Sequence, residues 1–196
     1  MTENDILNGL KVGFGITGSF CTISKTLPVI EELTKQGADV LPILSKTVAE
    51  TDTRFGKSDD LKQCLTEITG KKPMLDLTQV EPLGPKALAD ILVVAPCTGN
   101  SIAKIANGIS DTPVTLAVKS HLRNNRPVVI AVSTNDGLSG NIRNIGTLLS
   151  RKNIYIVPFN QDDSVNKENS LVSDFNLIEN TIKSAMTGAQ LQPLLI

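Results

Sequence analysis

Glycines at positions 13, 15 and 18 of the stretch KVGFGITGS (11–19) carry the spacing G-x-G-x-x-G. In a strand-to-helix turn this spacing lets backbone N–H groups approach a phosphate at a helix N-terminus. A dinucleotide site also needs an acid at the end of the following strand, to hold a ribose hydroxyl. There the chain reads LSKT (44–47), with no acid, and Asp39 stands at the opposite end of that strand. Three readings stay open: NAD, NADP with Lys46 on its 2′-phosphate, or glycines that only let a helix pack close to a strand.

Small hydroxyls and amides recur at the ends of the other apolar runs. Thr17 and Ser19 follow the first, Ser45 and Thr47 the second, Thr98, Asn100 and Ser101 the third, and Ser133, Thr134 and Asn135 the fourth. One such corner is ordinary helix capping. Four on one edge of a sheet suit a phosphomonoester and a polyol chain, where orientation counts for more than charge. That description fits FMN better than a nucleoside triphosphate, and the P-loop pattern with its Lys is absent.

The elements that position these residues are readable from periodicity. Strands are expected at 11–16, 39–44, 90–95, 127–132 and 154–157. Helices are expected at 20–36 with Pro28 inside, 58–69 with Ser58 as N-cap, and 100–107. Further helices are expected from Asp111 and Pro113 to Arg123, at 140–152 and at 171–186. The polar stretch 160–170 reads as a mobile loop. Strands that are apolar throughout, each followed by a helix, predict an α/β fold. The expected architecture is a three-layer, Rossmann-like (flavodoxin-like) parallel sheet with helices on both faces, in a single domain over 1–196. In such folds ligands sit beyond the carboxyl ends of the strands.

Composition narrows the function classes. The 196 residues carry a formal charge of −1, with five Phe, one Tyr and no Trp. Neither a basic excess nor base-stacking platforms are available, so a nucleic-acid partner is not expected. Cys21, Cys64 and Cys97 are far apart, which suits a reducing compartment and disfavours a metal site. The start MTENDILNG lacks the features of an export signal, and no apolar run is long enough for a bilayer. A cytoplasmic protein without membrane contact is expected.

Two segments resemble the flavoprotein family of FMN-binding cysteine decarboxylases and their relatives. Gly15 to Ser19 is similar to the family's G-I-T-G-S loop. Ala95 to Asp111 is similar to A-P-x-T-x-N-[TS]-x-A-K-x-A-x-G-I-x-D at nearly every position. The resemblance covers about 10–157. It implies FMN as cofactor, with Gly18, Ser19 and Ser45 around the phosphate and Thr98, Asn100 and Ser101 along the flavin and ribityl chain. The candidate cofactor set is completed by Gly15, Thr17, Pro96 and Ser133. No metal ligand is assigned.

Departures from the family pattern bear on the reaction. Where the decarboxylases carry P-A-M-N, with the Asn on a substrate carboxylate, this chain reads AVSTN, which keeps Asn135 in register. Asn135 is therefore the candidate contact to substrate. The decarboxylases also rely on a histidine after the second or third strand. The one histidine here, His121, lies late in an expected helix, where exposure or capping is the expected role. Lys46, Arg54 and Arg143 are the cationic candidates for a carboxylate, and Asn144 matches a family Asn in the following helix. Cys97, Cys21 and Cys64 are expected to pack.

Within the family, the resemblance is greatest to a member that acts with a second, Rossmann-type dehydrogenase subunit. It implies an oxidoreductase subunit acting on a small cyclic dicarboxylate, with NADP or NAD on the partner, and self-association into homo-oligomers. A non-catalytic scaffold that kept the fold, and a stand-alone FMN-dependent decarboxylase of a cysteine-type substrate, are the alternatives.

Overall fold

The computed structural model describes residues 6–196; the first five residues of the acidic start lie outside the described residues. Four apolar runs form the strands β1 (Lys11–Ile16), β2 (Asp39–Leu44), β3 (Ile91–Cys97) and β4 (Val128–Thr134), and β3 is buried at every position. With both faces covered, such strands pair in parallel. The order is β2-β1-β3-β4, and β5 (Ile154–Ile156) runs parallel beside the first half of β4. This is the doubly wound order 2-1-3-4-5, in which the crossovers leave β1 in opposite directions.

Helices cover both faces. On one lie α1 (Phe20–Ile23), α2 (Thr26–Lys35), α3 (Lys46–Glu50), α4 (Ser58–Thr69) and, at the end of the chain, α9 (Ile178–Met186). Their buried side chains, Ile30, Leu33 and Ile182 among them, pack with Phe14 and Val93. On the other face lie α5 (Leu77–Val80), α6 (Gly99–Ala106), α7 (Pro113–Arg123) and α8 (Ile142–Leu149). They pack Ile102, Val114 and Leu148 onto Leu92, Val94 and Ile130.

Gly13 and Gly15 owe their place to this packing. A Cβ on Gly13 would meet Leu92 Cδ1 at 2.8 Å, and one on Gly15 would meet Val114 Cγ1 at 2.9 Å. These two glycines let β1 lie against β3 and α7.

The sheet differs from the expected all-parallel one beyond β5. Residues 160–170 are not a loop, and the last helix does not begin at 171. Instead β6 (Phe159–Asp163) and β7 (Lys167–Ser173) form an antiparallel hairpin. Its turn is fixed by the Asp163 carboxylate, which accepts hydrogen bonds from the N–H groups of Val165 and Asn166. β7 then pairs antiparallel with the end of β4, Ser133 with Val172 and Thr134 with Leu171. The Ser173 hydroxyl locks the junction, accepting from Val132 N–H and donating to Val157 O. A 3-10 turn at Phe175–Leu177 precedes α9.

Other boundaries shift for local reasons. The expected helix 20–36 breaks at Ser24–Lys25, because the Pro28 ring cannot accept the carbonyl four residues back in a continuous helix. α4 takes Lys57, not Ser58, as N-cap, and the Ser58 N–H is held by the Asp52 carboxylate at 2.9 Å. α7 is capped by Thr112 in a reciprocal capping box with Thr115, while Asp111 pairs with Lys104. α8 is shorter than 140–152 at both ends.

His121 is the largest departure. It is fully buried, neither exposed nor capping, and neither ring nitrogen has a hydrogen-bond partner among the described residues. Burial, aided by the charge of Arg126 and opposed by Asp90, lowers its pKa to about 4.

Candidate functional site

A cleft of about 710 Å³ opens where the crossovers diverge, beyond the carboxyl ends of β1, β3 and β4. It is lined by Gly18 to Thr22 after β1, Thr98 to Asn100 after β3, Ser133 and Thr134 at the end of β4, and Asn135 and Asp136 just beyond it. Ser170 to Val172 of β7, Asp162, Lys167, Arg54 and Phe55 complete the wall.

The strand ends are tied together by hydroxyls. Ser19 Oγ lies 2.9 Å from Ser133 Oγ, and Thr22 Oγ1 lies 3.1 Å from the same atom. Thr17 Oγ1 donates to Pro96 O at 2.8 Å and accepts from Thr98 N–H at 3.0 Å. Thr98 caps α6 by accepting from Ser101 N–H, and donates to Ser101 Oγ at 3.1 Å. Asn100 and Asn135 differ from all of these. Both are exposed in the cleft lining, and neither side chain has a hydrogen-bond partner among the described residues.

Of the candidate cofactor residues, the structure brings Gly18, Ser19, Thr98, Asn100 and Ser133 into the cleft, together with Asn135. Gly15 is packed against α7, Thr17 and Pro96 form the clasp beneath the rim, and Ser101 is buried in the first turn of α6. Ser45 is buried as the N-cap of α3, accepting from Val48 N–H. These five stand behind the lining rather than in it. Among the cationic candidates, Arg54 lines the cleft, whereas exposed Lys46 lies 4.0 Å from Glu50 on α3 and Arg143 is an exposed residue of α8, both outside the lining.

One group was not singled out by sequence. The Asp136 carboxylate accepts both from Thr134 Oγ1 and from Asn141 Nδ2, whose side chain in turn accepts from Asn144 Nδ2 at 2.9 Å. The Thr134 and Asn141 bonds hold the Asp136 carboxyl below the usual carboxylate range, although partial burial opposes them. Gly99 lies directly beneath: a Cβ there would come within 2.5 Å of Thr134 Oγ1 and 2.6 Å of Asn141 Nδ2 and Asp136 Oδ1. Asn144 therefore serves this buried network. The spacing T-x-D at the end of a strand was the available signal.

The cysteines divide. Cys97 is fully buried, and desolvation raises its thiol pKa far above the ordinary value. Cys21, expected to pack, is exposed in the cleft lining. Cys64 lines a neighbouring cavity of about 250 Å³ that shares Phe20 and Phe55 with the cleft.

The chain matches the family model described as Flavoprotein over residues 1–170. It is 45% identical to the B-type subunit of dipicolinate synthase of Bacillus subtilis (strain 168) over 190 residues, 97% of this chain and 95% of that protein. The crystal structure of the same B-type subunit from Bacillus halodurans superimposes with a TM-score of 0.90 at 45% identity, covering 97% of each chain. The FMN-dependent cysteine decarboxylase SpaF shares the fold, with a TM-score of 0.66 at 24% identity over 92% of this chain and 99% of its own. With its doubly wound sheet, its rim of hydroxyls and amides and these likenesses, the chain belongs to the flavoprotein family.

Proposed function

We propose that this chain is the FMN-binding B-type subunit of a dipicolinate synthase. Together with a dehydrogenase-like A subunit that carries NADP or NAD, it would oxidise dihydrodipicolinate, or its hydrated precursor, to dipicolinic acid. The setting would be the mother-cell cytoplasm of a sporulating bacterium, with the chain self-associating as a homo-oligomer. The observation that carries the reading is the pair of unpartnered amides, Asn100 and Asn135, in a cleft at the switch point of a chain 45% identical to such a subunit.

FMN fits the donor set. The cleft volume is in the range that encloses a cofactor. Its lining offers hydroxyls and amides at Ser19, Thr98, Asn100 and Ser133, and Gly18 adds no side chain. A bound flavin supplies an acceptor for the hydride that leaves the ring as it becomes aromatic. This chain's residues bind and orient. Asn100 and the Ser19–Ser133 pair hold the polar part of the cofactor, and the Asn135 amide donates to a substrate carboxylate. Asp136, held ionised by Thr134 and Asn141, keeps anionic groups away from the Gly99 end of the cleft.

A second reading, a scaffold that kept the fold, is favoured by one feature. Among the described residues the cleft lining contains no histidine that could serve as a base. Co-expression with the dehydrogenase-like subunit and an assay for the ultraviolet signature of dipicolinate separates the two. The enzymatic reading expects N135A to cut turnover at least tenfold with the complex intact. An unchanged rate in N135A and N100A would leave the scaffold.

A further inference from the structure

The cleft holds four charged side chains among its lining residues: Arg54, Asp136, Asp162 and Lys167. Lys167 Nζ is 2.7 Å from Asp162 Oδ2, so that pair is internally neutralised. Asp136 is occupied by Thr134 and Asn141. Arg54 has no carboxylate partner among the described residues, and its guanidinium instead lies 4.8 Å above the centre of the Phe55 ring.

The backbone that carries Arg54 is a pinned tip. Thr53 N–H donates to Gly56 O at 3.0 Å, and Gly56 N–H returns to Thr53 O at 3.2 Å. Phe55 N–H donates to Thr53 Oγ1 at 3.1 Å, and Gly56 takes a positive φ of 148°. The Asp52 carboxylate ties the far end to the start of α4. A turn closed this way places two residues, Arg54 and Phe55, at its apex, and both line the cleft. The guanidinium is planar by its own resonance, and its fork of donors suits two oxygens of one anion; contact with an aromatic face restricts where that fork sits.

We propose that the Thr53–Gly56 turn is an anion clamp, in which the Arg54 guanidinium takes the anionic oxygen group of the ring compound in the cleft. That group is either the phosphate of the flavin or a carboxylate of the substrate. The ring itself rests on the functional reading above; the anion contact does not. Charge sets the orientation: the anionic end of the ligand faces the turn, and its neutral polar edge faces Asp136. Phe55 holds the guanidinium in place and walls off the neighbouring apolar cavity.

The test titrates the purified chain and its R54Q variant with FMN, riboflavin, pyridine-2,6-dicarboxylate, pyridine-2-carboxylate and inorganic phosphate. Arg54 is exposed, so R54Q is expected to keep the wild-type melting temperature. A tenfold or greater loss of FMN affinity, with riboflavin unchanged, supports the clamp and assigns the phosphate. Unchanged FMN affinity with a similar loss for the dicarboxylate supports it and assigns the carboxylate. R54K is expected to recover only part of either loss. If wild type binds neither FMN nor the dicarboxylate, the functional reading fails, and the clamp is then judged by inorganic phosphate alone. Phosphate broadening in the phosphorus NMR spectrum with wild type and not with R54Q would uphold it. Equal behaviour of wild type and R54Q toward every probe would overturn it.

Discussion

His121 gives the fold a pH dependence that can be worked out beforehand. Its ring is fully buried, with both nitrogens unpartnered among the described residues, and its folded pKa is lowered from 6.5 to about 4. The unfolded chain therefore binds a proton between these two values that the folded chain refuses. Stability is complete above the unfolded pKa and is lost as pH falls from 6.5 toward 4. Linkage with those two values removes about 2 kcal/mol between pH 7 and pH 5. Against a typical total of roughly 5–15 kcal/mol that loss is large. Urea unfolding of wild type and H121L at both pH values isolates it, because every other titrating group is common to the two. The stability of wild type should fall by about 2 kcal/mol more than that of H121L between pH 7 and 5. Parallel losses, within about 0.5 kcal/mol, would mean that the ring is hydrated or hydrogen-bonded in solution.

Three further substitutions probe the rim. Gly99→Ala forces a Cβ against Thr134, Asn141 and Asp136 and should destabilise by about 1–3 kcal/mol, read as a lowered melting temperature. D136N exchanges a carboxylate that accepts from Thr134 and Asn141 for an amide; it should cost about 1–2 kcal/mol at pH 7 and less as the pH falls toward the carboxylate range, followed by urea unfolding. S45A removes the cap of α3, so it should cost about 1 kcal/mol of stability and leave FMN affinity unchanged, separating capping from cofactor contact.

Much of the frame was legible because burial on both faces leaves an unmistakable mark. Runs such as ILVVA and PVVIAV are apolar without alternation, and each became a central strand. The rim residues Ser19, Thr98, Asn100 and Ser133 were legible for a related reason, since the ends of such strands are where the sheet stops covering polar groups. The β6–β7 hairpin was not. Its strands carry NQDD and KENS, residues with little strand preference, and they are held by the Asp163 turn and by pairing with the end of β4. No local pattern reports a partner 36 residues away, such as Thr134 for Ser170. Asp162, Lys167 and Ser170 were missed as cleft residues on that account. Glycine spacing also said less than it promised. Gly13 and Gly15 answer to Leu92 and Val114, and only Gly18 reaches the cleft. His121 shows the opposite limit, because periodicity placed it in α7 but could not tell a buried side from an exposed one near the end of the helix.

The most direct measurement is a fluorescence titration of FMN into the purified chain and into N100A, S133A and S45A. A flavin held by the strand-end hydroxyls and amides predicts saturable quenching at one flavin per chain, weakened about tenfold in N100A and S133A, a loss on the scale of a hydrogen bond to a charged or strongly polar group, and unaltered in S45A. Absence of saturable quenching, or an equal loss in S45A, would contradict a flavin seated on this rim.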